Sequence, residues 1–262
     1  MQRLGVHTIE IKTGYGLTQE QEVRAMRLLY QLKKEVTPAV SLLLTYLVHA
    51  LPQEYKKRPS SDYVHEVGIP ALDEMLKLGL RPDFVDIFME ENYFDKEAVD
   101  AFFSKAQKEN IPRKIHCDEF NDLEGAHLAA TWECVSADHL LATSKKGFTQ
   151  LAQSNTTATI LPGTALFLDK PMAKISSFVE AGGRLSLASD FNPGSCHFSN
   201  LLGIAQISNV KLKLNMAQFI ASITYNAARA LNLEDRGFLQ EGMRSSFLHF
   251  KKKKLLHLLY DW

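Results

Sequence analysis

The sequence predicts an α/β fold of the (β/α)8 barrel type, and three observations favour this class. Short apolar segments alternate with helical segments along almost all of the 262 residues, which is typical of strands that pair in parallel through right-handed crossovers. Polar residues collect at the carboxyl ends of the predicted strands, where a barrel carries its chemistry. The glycine-rich motifs that hold phosphates in many doubly wound sheets do not occur in the sequence. An open doubly wound sheet is the alternative.

The elements follow from local signals taken in chain order. The first strand is predicted at residues 5–12, where three β-branched residues favour an extended chain and a glycine-bearing turn follows. A helix is predicted after Thr18, because Gln21 gives a capping-box spacing and apolar residues then recur at the helical period. Asp95 is predicted to cap a later helix. Further strands are predicted at residues 40–46, 84–88, 113–116, 134–140, 157–161 and 184–189, and further helices at 123–132, 145–152, 173–181 and 206–231.

The composition argues against several classes of protein. The 30 basic and 30 acidic residues give a net charge of zero, so the chain has no general attraction for nucleic acid or anionic membranes. No apolar run reaches the ~18–20 residues of a membrane span. The three cysteines form no C-x-x-C pair, which argues against a disulfide scaffold or a zinc finger and fits a reducing cytoplasm.

Histidines and carboxylates follow successive predicted strands, and the carboxyl ends of parallel strands meet on one face of a barrel. Burying a charged side chain costs free energy unless it is paired or bound. This set therefore indicates metal binding or acid–base catalysis, as in a metal- or histidine-assisted hydrolase. Each residue also has a simpler interpretation. Asp190 can form a turn, Asp118 and Glu119 can cap the next helix, and a single histidine is more often structural. The set comprises Lys12, His49, Glu90, His116, Asp118, Glu119, Asp138, His139, Asp190, Asn192 and Ser195.

Several of these segments, taken together, resemble the imidazolonepropionases, which are amidohydrolase-superfamily enzymes of histidine degradation. The combination of EIKTGYGL at residues 10–17 with LASDFNPGS at 187–195 is specific within that superfamily. The resemblance covers nearly the whole chain in family order. The segments are EIKTGYGL at residues 10–17, HALP at 49–52, KIHCDE at 114–119, SADHL at 136–140, LPGT at 161–164, LASDFNPGS at 187–195, TYNAA at 224–228 and GFLQEG at 237–242.

The resemblance implies a metal-dependent hydrolase that opens the cyclic amide of 4-imidazolone-5-propanoate to give N-formimino-L-glutamate, with one zinc or iron ion. It implies that His116 and Asp190 bind the metal and that Asp190 takes a proton from the attacking water. His139 would assist proton transfer or stabilise the developing charge, and Glu119 would act in catalysis and contact substrate. Substrate contacts are also implied for Tyr15 and His49 and for the turn that contains Asn192, Gly194 and Ser195.

The resemblance further implies a small-molecule substrate, no nucleic-acid or membrane partner, a cytoplasmic location and a homodimer. We expect residues 1–235 to form an incomplete barrel with strands 2–8, because the family's metal-binding H-x-H strand has no counterpart in the sequence. We expect residues 236–262 to be a remnant of the family's small β domain. A truncated chain of this kind should have impaired activity. Two alternatives are another cyclic amidohydrolase and a non-catalytic remnant of the barrel.

Overall fold

The computed structural model describes residues 1–249, 251 and 257. Seven parallel strands form one sheet, in which each strand pairs with the next strand of the sequence. The strands are β1 (Thr8–Lys12), β2 (Ser41–Val48), β3 (Phe84–Met89), β4 (Arg113–Cys117), β5 (Ser136–His139), β6 (Thr157–Ile160) and β7 (Leu185–Leu187). This sequential order confirms the barrel type, because doubly wound sheets reverse their strand order at a switch point.

Helices connect the strands. Within the described residues they are α1 (Gln19–Val36), α2 (Ser60–Tyr63), α3 (Ile69–Lys77), α4 (Lys96–Lys108), α5 (Gly125–Thr131), α6 (Lys145–Ala152), α7 (Pro162–Phe167), α8 (Ser176–Glu180), α9 (Leu201–Leu212), α10 (Met216–Ile223) and α11 (Tyr225–Arg229). A π-helical turn, Val64–Gly68, joins α2 to α3, and 3-10 helices occur at Gln2–Leu4 and Gln53–Tyr55. No helix in these residues is both long and apolar enough to cross a membrane.

The predicted strands are all confirmed, and most of the differences concern where elements begin and end. The strand predicted at 134–140 is confirmed over Ser136–His139. At its end, Leu140 adopts a left-handed φ of 59°, which ends the extended chain. The caps Thr18 and Asp95 are confirmed, since their side chains accept hydrogen bonds from Gln21 N and Ala98 N. The helical region predicted at 206–231 begins earlier and forms three helices, α9 to α11.

The sheet is curled so that its two faces have different environments. Apolar side chains such as Val85, Ile87 and Ile115 are buried among the surrounding helices. Their neighbours on the same strands, including Asp86 and Lys114, are equally buried but polar, and they point to the concave side. Alternation along the strands therefore separates the outer apolar layer from an inner face that carries most of the buried charged side chains of the sheet.

The C-terminal part of the described chain lies against the amino ends of the first two strands. Arg236 Nη1 donates to Thr8 Oγ1 at 3.0 Å, and Arg244 Nη1 donates to Ser41 Oγ at 2.8 Å. Residues 236–249 contain no strand. Residues 250, 252–256 and 258–262 lie outside the described part, so the assignment of 236–262 to a small β domain stays a prediction.

Asp118 organises the loop that follows β4. Its carboxylate accepts hydrogen bonds from the backbone N–H groups of Leu123, Gly125 and Ala126 at 2.9–3.2 Å and from Thr143 Oγ1 at 2.8 Å. Of the two capping candidates, Asp118 holds the start of α5. Glu119 is left to face the cavity. Burial raises the pKa of Asp118, although these hydrogen bonds oppose the shift.

We predict that Asp118→Ala lowers the free energy of unfolding by about 3 kcal/mol, because several buried donors lose their acceptor. Urea denaturation measures the loss. Asp122→Ala is the matched control: Asp122 lies in the same loop and also accepts backbone hydrogen bonds, from Glu124 and Ser144, but it is exposed. The control should cost less than about 1 kcal/mol. Equal losses in the two variants would contradict the role of Asp118.

Candidate active site

The carboxyl ends of the strands surround a cavity of about 590 Å³ that β1 and β7 both line. The structure brings the predicted site residues together here, although they come from widely separated parts of the sequence. Gly194 lies in the same turn as Asn192 and Ser195 but does not line the wall. Glu90 and Asp118 of the predicted set do not line the wall either. The lining residues predicted from sequence are Lys12, Tyr15, His49, His116, Glu119, Asp138, His139, Asp190, Asn192 and Ser195.

Three histidines form the centre of the site. The ring centroids of His116 and His139 are 5.2 Å apart, and those of His49 and His116 are 6.5 Å apart. Burial and the charge of His116 lower the pKa of His49 and of His139 to about 4. Both rings are therefore neutral near neutral pH. Within the described chain, the buried Nδ1 atoms of these two rings have no hydrogen-bond partner, so they are available to a ligand.

Glu119 faces this cluster. Its Oε1 lies 3.5 Å from His139 Nδ1, too far for a good hydrogen bond. Burial raises the pKa of Glu119 to about 7, against the effect of His116 and with the help of the charges on Asp190 and Glu90. Glu90 also fixes the loop, because its carboxylate accepts from Phe120 N at 2.8 Å. A carboxyl group with this pKa can exchange a proton near neutral pH.

Asp190 follows β7 in a left-handed conformation, with a φ of 48°. Thr164 Oγ1 donates a hydrogen bond to Asp190 Oδ2. The turn-forming role proposed for Asp190 belongs to Asn192, whose Oδ1 accepts from Gly194 N at 2.8 Å and Ser195 N at 2.7 Å and whose Nδ2 donates to Asp190 O. The Asn192 amide therefore shapes the turn, and the Asp190 carboxylate faces the cavity.

Asp86 is the residue that sequence reasoning missed. It lies inside the apolar strand β3, is fully buried, and its Oδ1 is 3.0 Å from His116 Nδ1. The sequence does contain one signal for this residue, because Asp86 is a charged residue in the middle of the apolar strand β3. Lys12 Nζ is 2.6 Å from Asp86 Oδ2 and 3.0 Å from Asp138 Oδ2. Burial favours a neutral Asp86, but His116 and Lys12 hold its pKa well below the usual range.

Two groups of residues offer ligands of the kind that a metal ion binds. Ligand atoms of Asp86, His116 and Asp138 lie within 4.8 Å of one another, but the Lys12 ammonium already contacts both carboxylates. The second group is His116, through its other ring nitrogen, together with Asp190. The side chains of the second group line the cavity, beside histidine nitrogens without partners. Imidazole and carboxylate together suit zinc or iron.

The turn after β1 is held by Glu22 of α1. Its carboxylate accepts hydrogen bonds from Gly14 N at 3.0 Å and Gly16 N at 2.6 Å. Gly14 has a φ of 118°, and a Cβ there would lie 2.8 Å from His49 Cβ. The turn therefore needs glycine to approach β2, and it places the Tyr15 ring 5.3 Å from the His49 ring.

We predict that Glu22→Gln loosens this turn, because an amide NH2 group, which cannot accept a hydrogen bond, replaces one carboxylate oxygen. Amide exchange at Gly14 and Gly16, followed by NMR, should become about tenfold faster or more, which corresponds to roughly 1.4 kcal/mol of local stability. The control is Glu20→Gln, which alters an exposed residue in the same first turn of α1. Unchanged exchange in Glu22→Gln would show that the carboxylate does not hold the turn.

Comparison with solved structures places the fold among zinc-containing hydrolases and deaminases. An atrazine chlorohydrolase of Arthrobacter aurescens complexed with zinc superposes with a TM-score of 0.73 over 92% of this chain and 59% of that one, at 13% identity. An adenosine deaminase of Xanthomonas campestris with bound zinc gives 0.69 over 99% and 64%, also at 13% identity. These likenesses confirm the barrel-type fold.

Comparison of sequences identifies relatives at much higher identity than the solved structures. No protein-family model matches the chain. It is 35% identical over 98% of its length to an imidazolonepropionase of Caldanaerobacter subterraneus subsp. tengcongensis, and 40% identical over its whole length to one of Bacillus mycoides. The chain spans 62% of the length of each of these relatives. Along the whole of its own length, the chain is therefore homologous to the imidazolonepropionases, which confirms the resemblance that its motifs predict.

Proposed function

We propose that the protein is a hydrolase that opens the ring of 4-imidazolone-5-propanoate to give N-formimino-L-glutamate, a step of histidine degradation. The observation that carries the proposal is the convergence of Glu119, His139 and Asp190 on one cavity in a chain homologous to the imidazolonepropionases. The pKa of Glu119 near 7 and the neutral ring of His139 give the site both a proton carrier and a neutral hydrogen-bonding group.

We propose that His116 and Asp190 bind one zinc or iron ion. When bound, such an ion polarises a carbonyl group and lowers the pKa of water. The ligand chemistry supports this assignment, because imidazole nitrogen and carboxylate oxygen suit both metals. Asp86 and Asp138 are less suitable, since the ammonium group of Lys12 already contacts both carboxylates.

Hydrolysis adds water across the ring amide. The water oxygen bonds to the carbonyl carbon, the bond from that carbon to the ring nitrogen breaks, and the nitrogen takes up a proton. Glu119 and Asp190 are the groups suited to accept the proton of the water, and Glu119, with a pKa of about 7, can return it to the departing nitrogen. His139, uncharged at neutral pH, can hydrogen-bond the negative charge that develops on oxygen.

We propose that Tyr15 and His49 contact the substrate on one side and that the turn from Asn192 to Ser195 contacts it on the other. Tyr15 is 60% exposed at the mouth of the cavity, while the His49 ring packs behind it. The backbone of the turn is already held by Asn192, so it is pre-organised before substrate arrives. Groups positioned in advance lose little freedom on binding.

The direct test is to incubate the protein, expressed from its complete reading frame, with 4-imidazolone-5-propanoate and zinc or iron. We expect a product that has gained one water and corresponds to N-formimino-L-glutamate by mass spectrometry. Other cyclic amides, such as hydantoins and lactams, are assayed in parallel. Turnover of one of these without turnover of the imidazolone would overturn the proposed substrate. No turnover of any of them would favour a non-catalytic role.

We predict that Asp190→Asn lowers kcat by roughly 10²- to 10⁴-fold, because it removes a charged metal ligand and a proton acceptor together. The steady-state rate with the imidazolone measures the loss. Asp169→Asn is the matched control, since Asp169 is exposed and also has a left-handed φ, 51° against 48° for Asp190. The control should retain full activity. Retained activity in Asp190→Asn would remove Asp190 from the mechanism.

A further inference from the structure

We infer that Asp86 and Lys12 are positioning residues that hold the His116 ring with Nδ1 bonded inward and Nε2 directed to the cation site. The inference deepens the proposed function and rests on it for the identity of the cation. The arrangement of the ring itself is a property of the metal-free protein. It can therefore be tested independently of activity.

The first step is the contact between Asp86 and His116. Asp86 lies on β3 and His116 on the neighbouring β4, and the atoms Oδ1 and Nδ1 are 3.0 Å apart in a buried environment. An ionised carboxylate can only accept a hydrogen bond. The proton must therefore be on Nδ1, and the neutral ring keeps its lone pair on Nε2. This is the tautomer that binds a metal through Nε2, with a carboxylate as the outer partner.

The second step is the role of Lys12. Its Nζ lies 2.6 Å from Asp86 Oδ2, while His116 Nδ1 lies 3.0 Å from both Asp86 Oδ1 and Asp86 Oδ2. The ammonium group therefore holds the Asp86 carboxylate in its charged form and restricts its rotation. Without this contact, no ammonium group would fix the orientation of the buried Asp86 carboxylate towards His116.

A competing interpretation is that Asp86, His116 and Asp138 themselves bind the cation, because their ligand atoms lie within 4.8 Å. Lys12 argues against it, since its Nζ contacts both carboxylates, at 2.6 and 3.0 Å. A metal ion there would face an ammonium group at contact distance. The two interpretations predict opposite results when Lys12 is replaced by an uncharged residue.

Asp138 provides the matched control. It is buried like Asp86, it contacts the same Lys12 Nζ, and its Oδ1 accepts a hydrogen bond from Ser136 Oγ. It does not hydrogen-bond His116. Loss of either carboxylate removes one negative charge from the same cluster, so the two variants differ chiefly in the bond to His116.

The experiment has two readouts. Long-range ¹H–¹⁵N NMR of the metal-free protein, at a pH where the ring is neutral, assigns the His116 tautomer, and Zn²⁺ titration against a competing chelator gives the affinity. We expect an Nδ1–H tautomer in the unmutated protein and a weaker preference in Asp86→Asn, because the single amide oxygen cannot accept from both His116 and Lys12. Asp86→Ala should lose the tautomer preference and about 10- to 100-fold in Zn²⁺ affinity. The loss for Asp138→Ala should be less than about threefold.

An Nε2–H tautomer in the unmutated protein would overturn the inference, whatever the enzyme activity. So would equal affinity losses in Asp86→Ala and Asp138→Ala. Lys12→Met is read by native mass spectrometry with Zn²⁺. Weaker binding of one ion supports positioning, and unchanged binding would overturn the role of Lys12. Tighter binding or a second bound ion would favour the group of Asp86, His116 and Asp138 as the metal site. Circular dichroism verifies that each variant is folded.

Discussion

The structure depends on one constraint, which is that charged side chains buried inside the curled sheet must be paired. The carboxylates of Glu10, Asp86 and Asp138 share two ammonium groups, those of Lys12 and Lys114. Removal of one partner from such a buried pair typically costs about 3–5 kcal/mol. Because these residues come from four of the seven strands, their pairing links the strand register, the curvature and the barrel interior.

The same cluster sets the electrostatics of the cavity above it. Three carboxylates face two ammonium groups, so an excess negative charge lies beside His116. Burial opposes protonation of His116, but the charge and hydrogen bond of Asp86, together with the charge of Asp138, raise the pKa of that ring. The charge of His116 in turn helps to lower the pKa of His49 and His139 to about 4. The three adjacent histidines thus differ, because the pKa of His116 is raised while the pKa values of His49 and His139 are lowered.

The sequence predicted the fold and the three histidines of the cavity, because both depend on local pattern and on parallel topology. Alternating strands and helices give the order of the sheet, and the strand ends give His116, Glu119, His139 and Asp190. Asp86 was not predicted, because its importance comes from contact with Lys12, 74 residues away. Charge pairing across the barrel depends on how the strands align with one another. No local pattern in β3 indicates that Asp86 lies opposite Lys12 of β1.

Backbone conformation at the strand ends completes the link between the fold and the site. His139, Asp118 and Asp190 each have a positive φ, of 76°, 51° and 48°. Such a conformation disfavours most residues other than glycine, although histidine and aspartate tolerate it comparatively well. Each strand end therefore turns sharply just where a side chain must leave the sheet. The cost, about 1–3 kcal/mol per residue, has to be offset by neighbouring contacts.

Those contacts are observed at two of the three positions. Asp118 is held by backbone donors at the start of α5, and Asp190 by the hydroxyl group of Thr164. His139 has no comparable bond, since its Nδ1 lacks a hydrogen-bond partner in the described part of the chain. A strained residue with an unsatisfied buried nitrogen, 3.5 Å from a carboxyl group of pKa about 7, is costly for a purely structural element. These features together support the assignment of His139 to the chemistry of the cavity rather than to the stability of the barrel.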